Sequence, residues 1–168
     1  MMARSQTRAF SLVELVIVVV IIGVIAAIAV PRISRGAKGA GDASLRGSLA
    51  GIRNAIDMYA AEHGGAFPAS GAGDTETTLI DQLTKKSDAS GDTSGGATNK
   101  IYGPYLRSGF PALPVCANKP SKTVKLVTGT PTPQLTGEGW VYSTDTGAFM
   151  ANCAAGEKDE SNVDYNTY

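Results

Sequence analysis

The sequence predicts an α+β fold in which a long N-terminal α-helix, with its first half embedded in a membrane, packs on a small antiparallel β-sheet. Three observations support this prediction. Residues 10–30 are almost uniformly apolar, residues 45–59 repeat apolar side chains at helical spacing, and residues 123–152 contain three short β-like segments. With 168 residues, the chain can form one ordinary domain, or a smaller domain with an anchor.

The composition excludes several functional classes. Lys and Arg together number 15, as do Asp and Glu, so the chain is not a strongly basic nucleic-acid binder. One His and two Cys cannot build a metal centre from several such ligands, whereas oxygen ligands for Ca²⁺ remain available. The charges are segregated, because residues 32–53 carry a net charge of +4 and residues 54–168 carry −5.

The first predicted element is the apolar helix at residues 10–30, which is long enough to cross a bilayer. A plain membrane anchor is one interpretation, and a signal peptide with a cleavage-like site at Ala27–Ala29 is another. Neither explains Glu14, because a carboxylate in lipid is costly and normally has a partner. If the chain were cut after Ala9, the α-amino group of Phe10 could pair with it, within one chain or between two packed chains.

The segment MARSQTRAFSLVELVIVVVIIGVIAAIAVP resembles the N-terminus of the type IV pilins and the type II secretion pseudopilins. The resemblance implies that residues 1–9 are a leader peptide, that a prepilin peptidase cuts between Ala9 and Phe10, and that Phe10 is then N-methylated. It also implies that Glu14 acts in assembly and axial register and that Pro31 kinks the helix. The family usually has Gly where this chain has Ala9.

Residues 31–64 are predicted to form the amphipathic second half of the helix. Apolar side chains recur at alternating steps of four and three, which gives one buried stripe. The stripe comprises Leu45, Leu49, Ile52, Ile56 and Tyr59. Gly64 and Gly65 are expected to end the helix. Because glycine weakens helices, we expect a loop or a poorly formed helix around residues 36–41. The alternative is that the glycines allow local melting or close packing when subunits assemble.

Residues 65–153 are predicted to form a globular, pilin-like head, and residues 154–168 a polar flexible tail. A short helix is expected over residues 75–86, with Asp74 as its N-cap. Its apolar face would comprise Leu79, Ile80 and Leu83. Residues 87–99 are expected to be a flexible, solvated loop.

Strand signals follow in the second half of the head. The last two predicted strands are joined by a turn at Asp145–Gly147, and the sheet would place Trp140 and Tyr142, or their opposite-face neighbours, against the helix stripe. The predicted strands are residues 123–128, 140–144 and 148–152.

The head also resembles the family, although less closely than the N-terminus does. YGPYLR at residues 102–107 and GWVYSTDTGAFMAN at residues 139–152 are similar to the body of major pseudopilins and related short pilins. In some secretion pseudopilins a loop of the β-region binds Ca²⁺. Glu138 and Asp145 are the nearest candidates here, with a solvated turn as the alternative. No other cofactor is expected.

Cys116 and Cys153 lie 37 positions apart and bracket the predicted sheet. In an exported head they can form a disulfide, worth roughly 4 kcal/mol in the chain-entropy model. Two free thiols are the alternative. A catalytic Cys is not expected, because His63 is the only imidazole in the chain.

The sequence predicts a structural protein rather than an enzyme, since it contains no phosphate-binding loop, metal cluster or catalytic triad. The resemblance implies a single-pass protein of the bacterial inner membrane with its head in the periplasm, which assembles with copies of itself into a periplasmic or cell-surface filament. The expected partners are prepilin peptidase/methyltransferase, an inner-membrane assembly platform with its ATPase, and the lipid bilayer, with no direct nucleic acid.

Three functional hypotheses remain open. The short body with one hairpin resembles the secretion family and favours a type II secretion system pseudopilin of the major, G type. The Cys pair near the C-terminus resembles the disulfide-bounded region of surface pilins and favours a type IV pilus pilin for adhesion, motility or DNA uptake. A single-span membrane-anchored periplasmic binding domain is the alternative from another class.

Overall fold

The computed structural model describes residues 10–95, 99–134 and 136–168. Over these residues the backbone forms two α-helices, three β-strands and a short 3-10 helix. The helices are α1, Leu12–Glu62, and α2, Glu76–Thr84; the strands are β1, Val124–Val127, β2, Trp140–Ser143, and β3, Phe149–Ala151; the 3-10 helix is Tyr165–Thr167. The chain divides into two compact units, one up to Lys38 and the other, the head, from Gly39 onward.

α1 contains both predicted helical segments, because it is helical throughout Leu12–Glu62. The prediction of a loop or poorly formed helix around residues 36–41 is therefore wrong. One glycine costs a helix only about 1 kcal/mol relative to Ala, and at Gly41 close packing can offset this cost. At Gly41 an added Cβ would lie 3.0 Å from Val115 Cγ1, so the absent side chain lets α1 approach the residue 115 segment.

The C-terminus of α1 follows the predicted glycine pair. Gly64 and Gly65 adopt positive φ angles of 67° and 90°, a conformation that glycine accepts without strain. The Gly65 N–H donates to the Ala60 carbonyl at 2.8 Å, which satisfies one of the free carbonyls at the helix end. The predicted helix stop is confirmed.

The predicted apolar stripe of α1 forms the core of the head. All five of its residues are at most 3% exposed, and they share one core cluster with Trp140, Tyr142 and Phe149 of the sheet. Burial of large aromatic and aliphatic side chains is the main stabilising contribution here. Helix-on-sheet packing confirms the α+β prediction.

The sheet is mixed rather than antiparallel. β2 pairs antiparallel with β3, as the turn at Asp145–Gly147 predicts. β1 pairs parallel with β2, with Val124 opposite Trp140. Parallel pairing needs a connection of about a dozen residues or more to return the chain to the same end of the sheet. Residues 128–139 are long enough to serve as that connection, so the Pro- and Gly-containing loop permits the parallel pairing.

α2 is shorter than predicted and has a different N-cap. Thr75 rather than Asp74 forms the cap, in a reciprocal arrangement with Thr78, while the Asp74 carboxylate accepts the Gly71 N–H at 2.8 Å. Leu79 and Leu83 are buried as predicted. The following segment is not fully solvated, because Ser87 is buried and forms a bridge with Tyr102.

Residues 154–168 are folded onto the head and are not the flexible tail that the sequence suggested. Lys158 and Asp164 form an isolated β-bridge. Tyr165 is 5% exposed and Asp159 is 3% exposed. A polar composition suggested a flexible tail, but Asp159, Tyr165 and Tyr168 of this segment bond to side chains of α1.

Candidate assembly site

α1 begins with a segment whose apolar side chains are exposed. Leu12–Val30 has a mean hydropathy of 3.2, and its most apolar stretch is not buried within the protein. By length and composition this segment can cross a membrane, a test that a signal sequence near the N-terminus would also pass. An apolar surface of this length is unfavourable in water, so it requires lipid or other helices as its environment.

A polar pair closes the first turn of this helix. The Ser11 N–H donates to Glu14 Oε2 at 3.0 Å, and the Val13 N–H donates to Ser11 Oγ at 3.3 Å. Glu14, the predicted assembly residue, therefore has a hydrogen-bond partner in its own chain. Sequence reasoning missed Ser11, although the spacing Ser-x-x-Glu before an apolar run is a recognised helix-start signal.

The other predicted N-terminal sites are described only in part. Phe10 lies just before α1 and is 87% exposed. Ala9 and the rest of the predicted leader, residues 1–9, lie outside the described residues. Pro31 lies within α1, which continues beyond it. The cleavage, the methylation and the kink remain predictions.

In the head, a buried carboxylate on α1 fixes the C-terminal segment. Asp42 is 6% exposed; its Oδ1 accepts the Tyr165 hydroxyl at 2.6 Å and its Oδ2 accepts the Glu160 N–H at 3.0 Å. Burial, followed by this bond to Asp42, raises the pKa of Tyr165. Asp42 precedes Leu45 on the same helical stripe, and that position is the one sequence signal for its burial.

Arg46 forms a second link between α1 and the C-terminal segment. Its Nη2 lies 2.7 Å from Asp159 Oδ2 and 2.8 Å from the Tyr168 hydroxyl, and its guanidinium carbon lies 4.9 Å from the centre of the Tyr168 ring. The Tyr168 hydroxyl also donates to Asp159. The hydrogen bond from the Tyr168 hydroxyl, followed by the one from the Val163 N–H, lowers the pKa of Asp159 below its ordinary 3.8.

Arg53 forms a third link. Its Nε and Nη2 donate to the Phe149 carbonyl at 3.1 and 2.8 Å, and Nη2 also donates to the Tyr168 backbone oxygen. Two of the five basic residues in the stretch 32–53, Arg46 and Arg53, therefore hold the head together. The basic stretch is in part a structural feature of the head and not wholly a free charged surface.

Cys116 and Cys153 are joined by a disulfide, with their Cα atoms 5.6 Å apart. The bond links the end of β3 to the residue 116 segment. Glu157 also lies close to both sulfurs, but its oxygens accept the N–H groups of Ala117 at 2.8 Å and Ala154 at 2.7 Å. Disulfide sulfurs are not thiolate ligands, so this cluster is structural.

The two candidate Ca²⁺ ligands, Glu138 and Asp145, are engaged in loop hydrogen bonds. Asp145 accepts the Gly129 N–H at 2.8 and 2.9 Å and the Ser143 hydroxyl at 2.5 Å. Glu138 accepts the Thr136 hydroxyl. These hydroxyl bonds are the first cause of the lowered pKa of each carboxyl. Both side chains thus have structural partners, which favours the alternative of an ordinary turn.

His63 lies at the end of α1 and contacts aromatic and backbone groups. Its ring stacks on Tyr59, with 3.8 Å between the ring centres, and its nitrogens lie 2.9 Å from the Tyr59 carbonyl and 3.2 Å from Ser87 Oγ. Both Cys residues of the chain are in the disulfide. The sole imidazole therefore has no thiol to activate, and the arrangement around it is that of a packed helix end.

The comparisons with known proteins identify the N-terminal segment. Residues 4–30 match the prokaryotic N-terminal methylation motif. No curated protein and no solved structure matches the chain. The matched residues include the predicted cut between Ala9 and Phe10, Glu14 and the whole exposed apolar segment Leu12–Val30. The chain therefore carries the prepilin-type N-terminal motif of the type IV pilins and pseudopilins.

Proposed function

We propose that this chain is a structural subunit of a helical filament that is assembled from the bacterial inner membrane. The observation that carries the proposal is the methylation motif at residues 4–30, placed on an exposed apolar helix with one carboxylate in its first turn. Prepilin peptidase processing and filament assembly are what this motif implies in general. The membrane-anchored subunit has a head with its own core and no catalytic role.

In the proposed assembly step, the apolar helix leaves the lipid and packs against the same helix in other subunits. Van der Waals packing can replace the lipid contacts of Leu12–Val30 at little cost. Glu14 provides the register, because a carboxylate in lipid gains most from a cation held nearby. The α-amino group of Phe10 on a second copy, released by cleavage after Ala9, would be that cation.

The finer proposal is a type II secretion system pseudopilin of the major, G type, forming a short periplasmic filament. It rests on the resemblance of the head sequence and on the short body with a single hairpin, β2 and β3. The partners would be prepilin peptidase/methyltransferase, the assembly platform with its ATPase, and the lipid bilayer. The head would lie in the periplasm, an oxidising compartment that suits the disulfide.

A type IV pilus pilin is the second candidate, and the disulfide favours it. The bond between Cys116 and Cys153 encloses β1, β2 and β3, and the enclosed region resembles the disulfide-bounded region of surface pilins. Fibres seen on the cell surface by electron microscopy would support the pilus. Genes for secretion components beside the gene for this chain would support the pseudopilin.

The mature N-terminus tests the whole proposal against a single-span membrane-anchored periplasmic binding domain. Mass spectrometry of the purified protein should find a chain that begins with N-methylated Phe10. A chain that begins at Met1, Met2 or Val30 in both the wild type and Ala9→Gly would contradict the proposal. Ala9→Gly is the matched control, because it restores the residue that the family usually has. If only this variant is cut, the failure belongs to Ala9 and not to the proposed function.

A further inference from the structure

Glu157 bonds to both of the chain segments that the disulfide joins. Its carboxylate oxygens accept two backbone N–H groups, that of Ala117 at 2.8 Å and that of Ala154 at 2.7 Å. Each donor belongs to the residue that directly follows a cysteine, Cys116 in one case and Cys153 in the other. One side chain therefore holds the backbone beside both cysteines, through bonds that do not involve sulfur.

The backbone at Cys116 needs this kind of support. Cys116 has a φ angle of 70°, in the left-handed region that is unfavourable for a residue with a Cβ. The Ala117 N–H that Glu157 holds belongs to the peptide immediately after Cys116, so this bond opposes relaxation of Cys116 to an ordinary φ angle. The carboxylate also lies within 4.8 Å of both sulfurs. It is thus placed to keep the two sulfurs facing each other.

The two cysteines differ in exposure, which sets the order in which they react with an external disulfide. Cys153 is 0% exposed and belongs to the core cluster, whereas Cys116 is half-buried. The Cys116 thiolate attacks one sulfur of an oxidant RSSR, forms a mixed disulfide with it and releases RS⁻. The Cys153 thiolate then attacks the Cys116 sulfur, forms the final bond and releases a second RS⁻. The two thiol protons pass to the two released thiolates, so the cysteines lose two electrons and the oxidant gains two.

We propose that Glu157 is a positioning residue for the second of these steps, the closure of the mixed disulfide by Cys153. By holding both cysteine backbones, it keeps the attacking sulfur near its target before the bond forms. Glu157 belongs to the segment 154–168, which also bonds to α1, so the disulfide closes rapidly only after this segment has docked. The inference goes beyond filament assembly and requires only that the head meets a disulfide oxidant.

Reoxidation of the reduced full chain in detergent micelles by oxidised glutathione separates the two steps. Acid-quenched samples analysed by mass spectrometry give the amounts of reduced, mixed-disulfide and closed protein. Glu157→Gln is nearly the same size but has one acceptor oxygen instead of two, so one N–H bond is lost. We expect the mixed disulfide to form no more slowly and to close roughly fivefold more slowly, the factor for one lost hydrogen bond.

Two controls separate positioning from charge and from general loosening of the segment. Glu160→Gln removes the same charge from an exposed site three residues later and should close at the wild-type rate. Tyr165→Phe removes the hydroxyl bond to Asp42 and weakens the segment elsewhere, and it should close faster than Glu157→Gln. Equal closing rates for the wild type and Glu157→Gln would overturn the proposal, as would equal slowing in Glu157→Gln and Tyr165→Phe.

The reverse reaction starts from the folded, oxidised protein and therefore does not depend on refolding of the variant. Net reduction by reduced glutathione should be several-fold faster for Glu157→Gln than for the wild type. A mixed disulfide that closes slowly is available for longer to a second glutathione thiol, which completes the reduction. An unchanged rate of reduction would also overturn the proposal.

Discussion

Asp159 shows how a single carboxylate can order a polar segment. Its side chain is 1% exposed, whereas that of its partner Arg46 is 58% exposed. The pair therefore differs from a surface salt bridge, in which both groups remain hydrated. The backbone N–H groups of Ser161 and Val163 also donate to Asp159, each at 2.8 Å. Asp159→Asn would replace one carboxylate oxygen with an NH₂ group, so the two donors that bond to that oxygen would lose their acceptor.

We expect Asp159→Asn to lower the Tm of the mature protein at pH 7 and to reduce its sensitivity to acid. The pKa of Asp159 is lower in the folded protein than its ordinary 3.8. As the pH falls, the unfolded chain therefore binds the proton first. The stability that Asp159 contributes is fully present above about pH 4 and is lost as the pH falls through the lowered pKa.

Thermal unfolding of both proteins in detergent micelles between pH 7 and pH 2 measures this effect. Asp57→Asn, at an exposed position of the same helix, is the control and should change the Tm little. Wild-type and Asp159→Asn curves that stay parallel down to pH 2 would contradict the assigned role.

At the scale of elements, the sequence predicts what depends on local patterns. Spacing or turn residues within a few positions are enough to predict three features: the apolar stripe of α1, the end of α1 at Gly64 and Gly65, and the hairpin of β2 and β3. Ser11 and Glu14 could have been recognised in the same way. The Ser-x-x-Glu spacing at the start of α1 is local in the same sense.

Features that depend on distant partners could not be predicted. The hydroxyl of Tyr165 bonds to Asp42, 123 positions earlier in the chain, and nothing in either neighbourhood indicates the pairing. The parallel pairing of β1 with β2 is a contact between strands that lie 16 positions apart, with Val124 opposite Trp140, and no local pattern fixes its direction. Composition describes the average residue of a segment, whereas these features depend on individual contacts.

The disulfide between Cys116 and Cys153 is expected to stabilise the three strands that it encloses. Cys116→Ser combined with Cys153→Ser should lower the free energy of unfolding by roughly 4 kcal/mol, because the unfolded chain is freed from a 37-residue link. Urea unfolding measures the change. Wild-type protein kept reduced is the matched control and should behave like the double variant. An unchanged urea midpoint in both would show that the link contributes no stability.

For the whole molecule, Glu14 is the residue on which we expect assembly to depend most. Glu14→Ala should leave the protein inserted in the membrane and lower the assembled fraction about tenfold or more, since one charge pair of 1.4 kcal/mol already accounts for a factor of ten. Membrane fractionation and filament yield by electron microscopy measure the two properties. Asp57→Ala, which removes one acidic charge from an exposed site on α1, should assemble normally. Filaments of normal yield from Glu14→Ala would contradict the register role.

The links between α1 and the C-terminal segment also impose an order of events in time. Arg46 and Asp159 are separated by 113 positions, and Asp42 and Tyr165 by 123. During synthesis, Asp42 and Arg46 on α1 are therefore made long before Asp159 and Tyr165, so these contacts can form only after nearly the whole chain has been translated. A chain halted before residue 159 would leave Asp42 and Arg46 without these partners, so closure of the head reports that translation has passed that point.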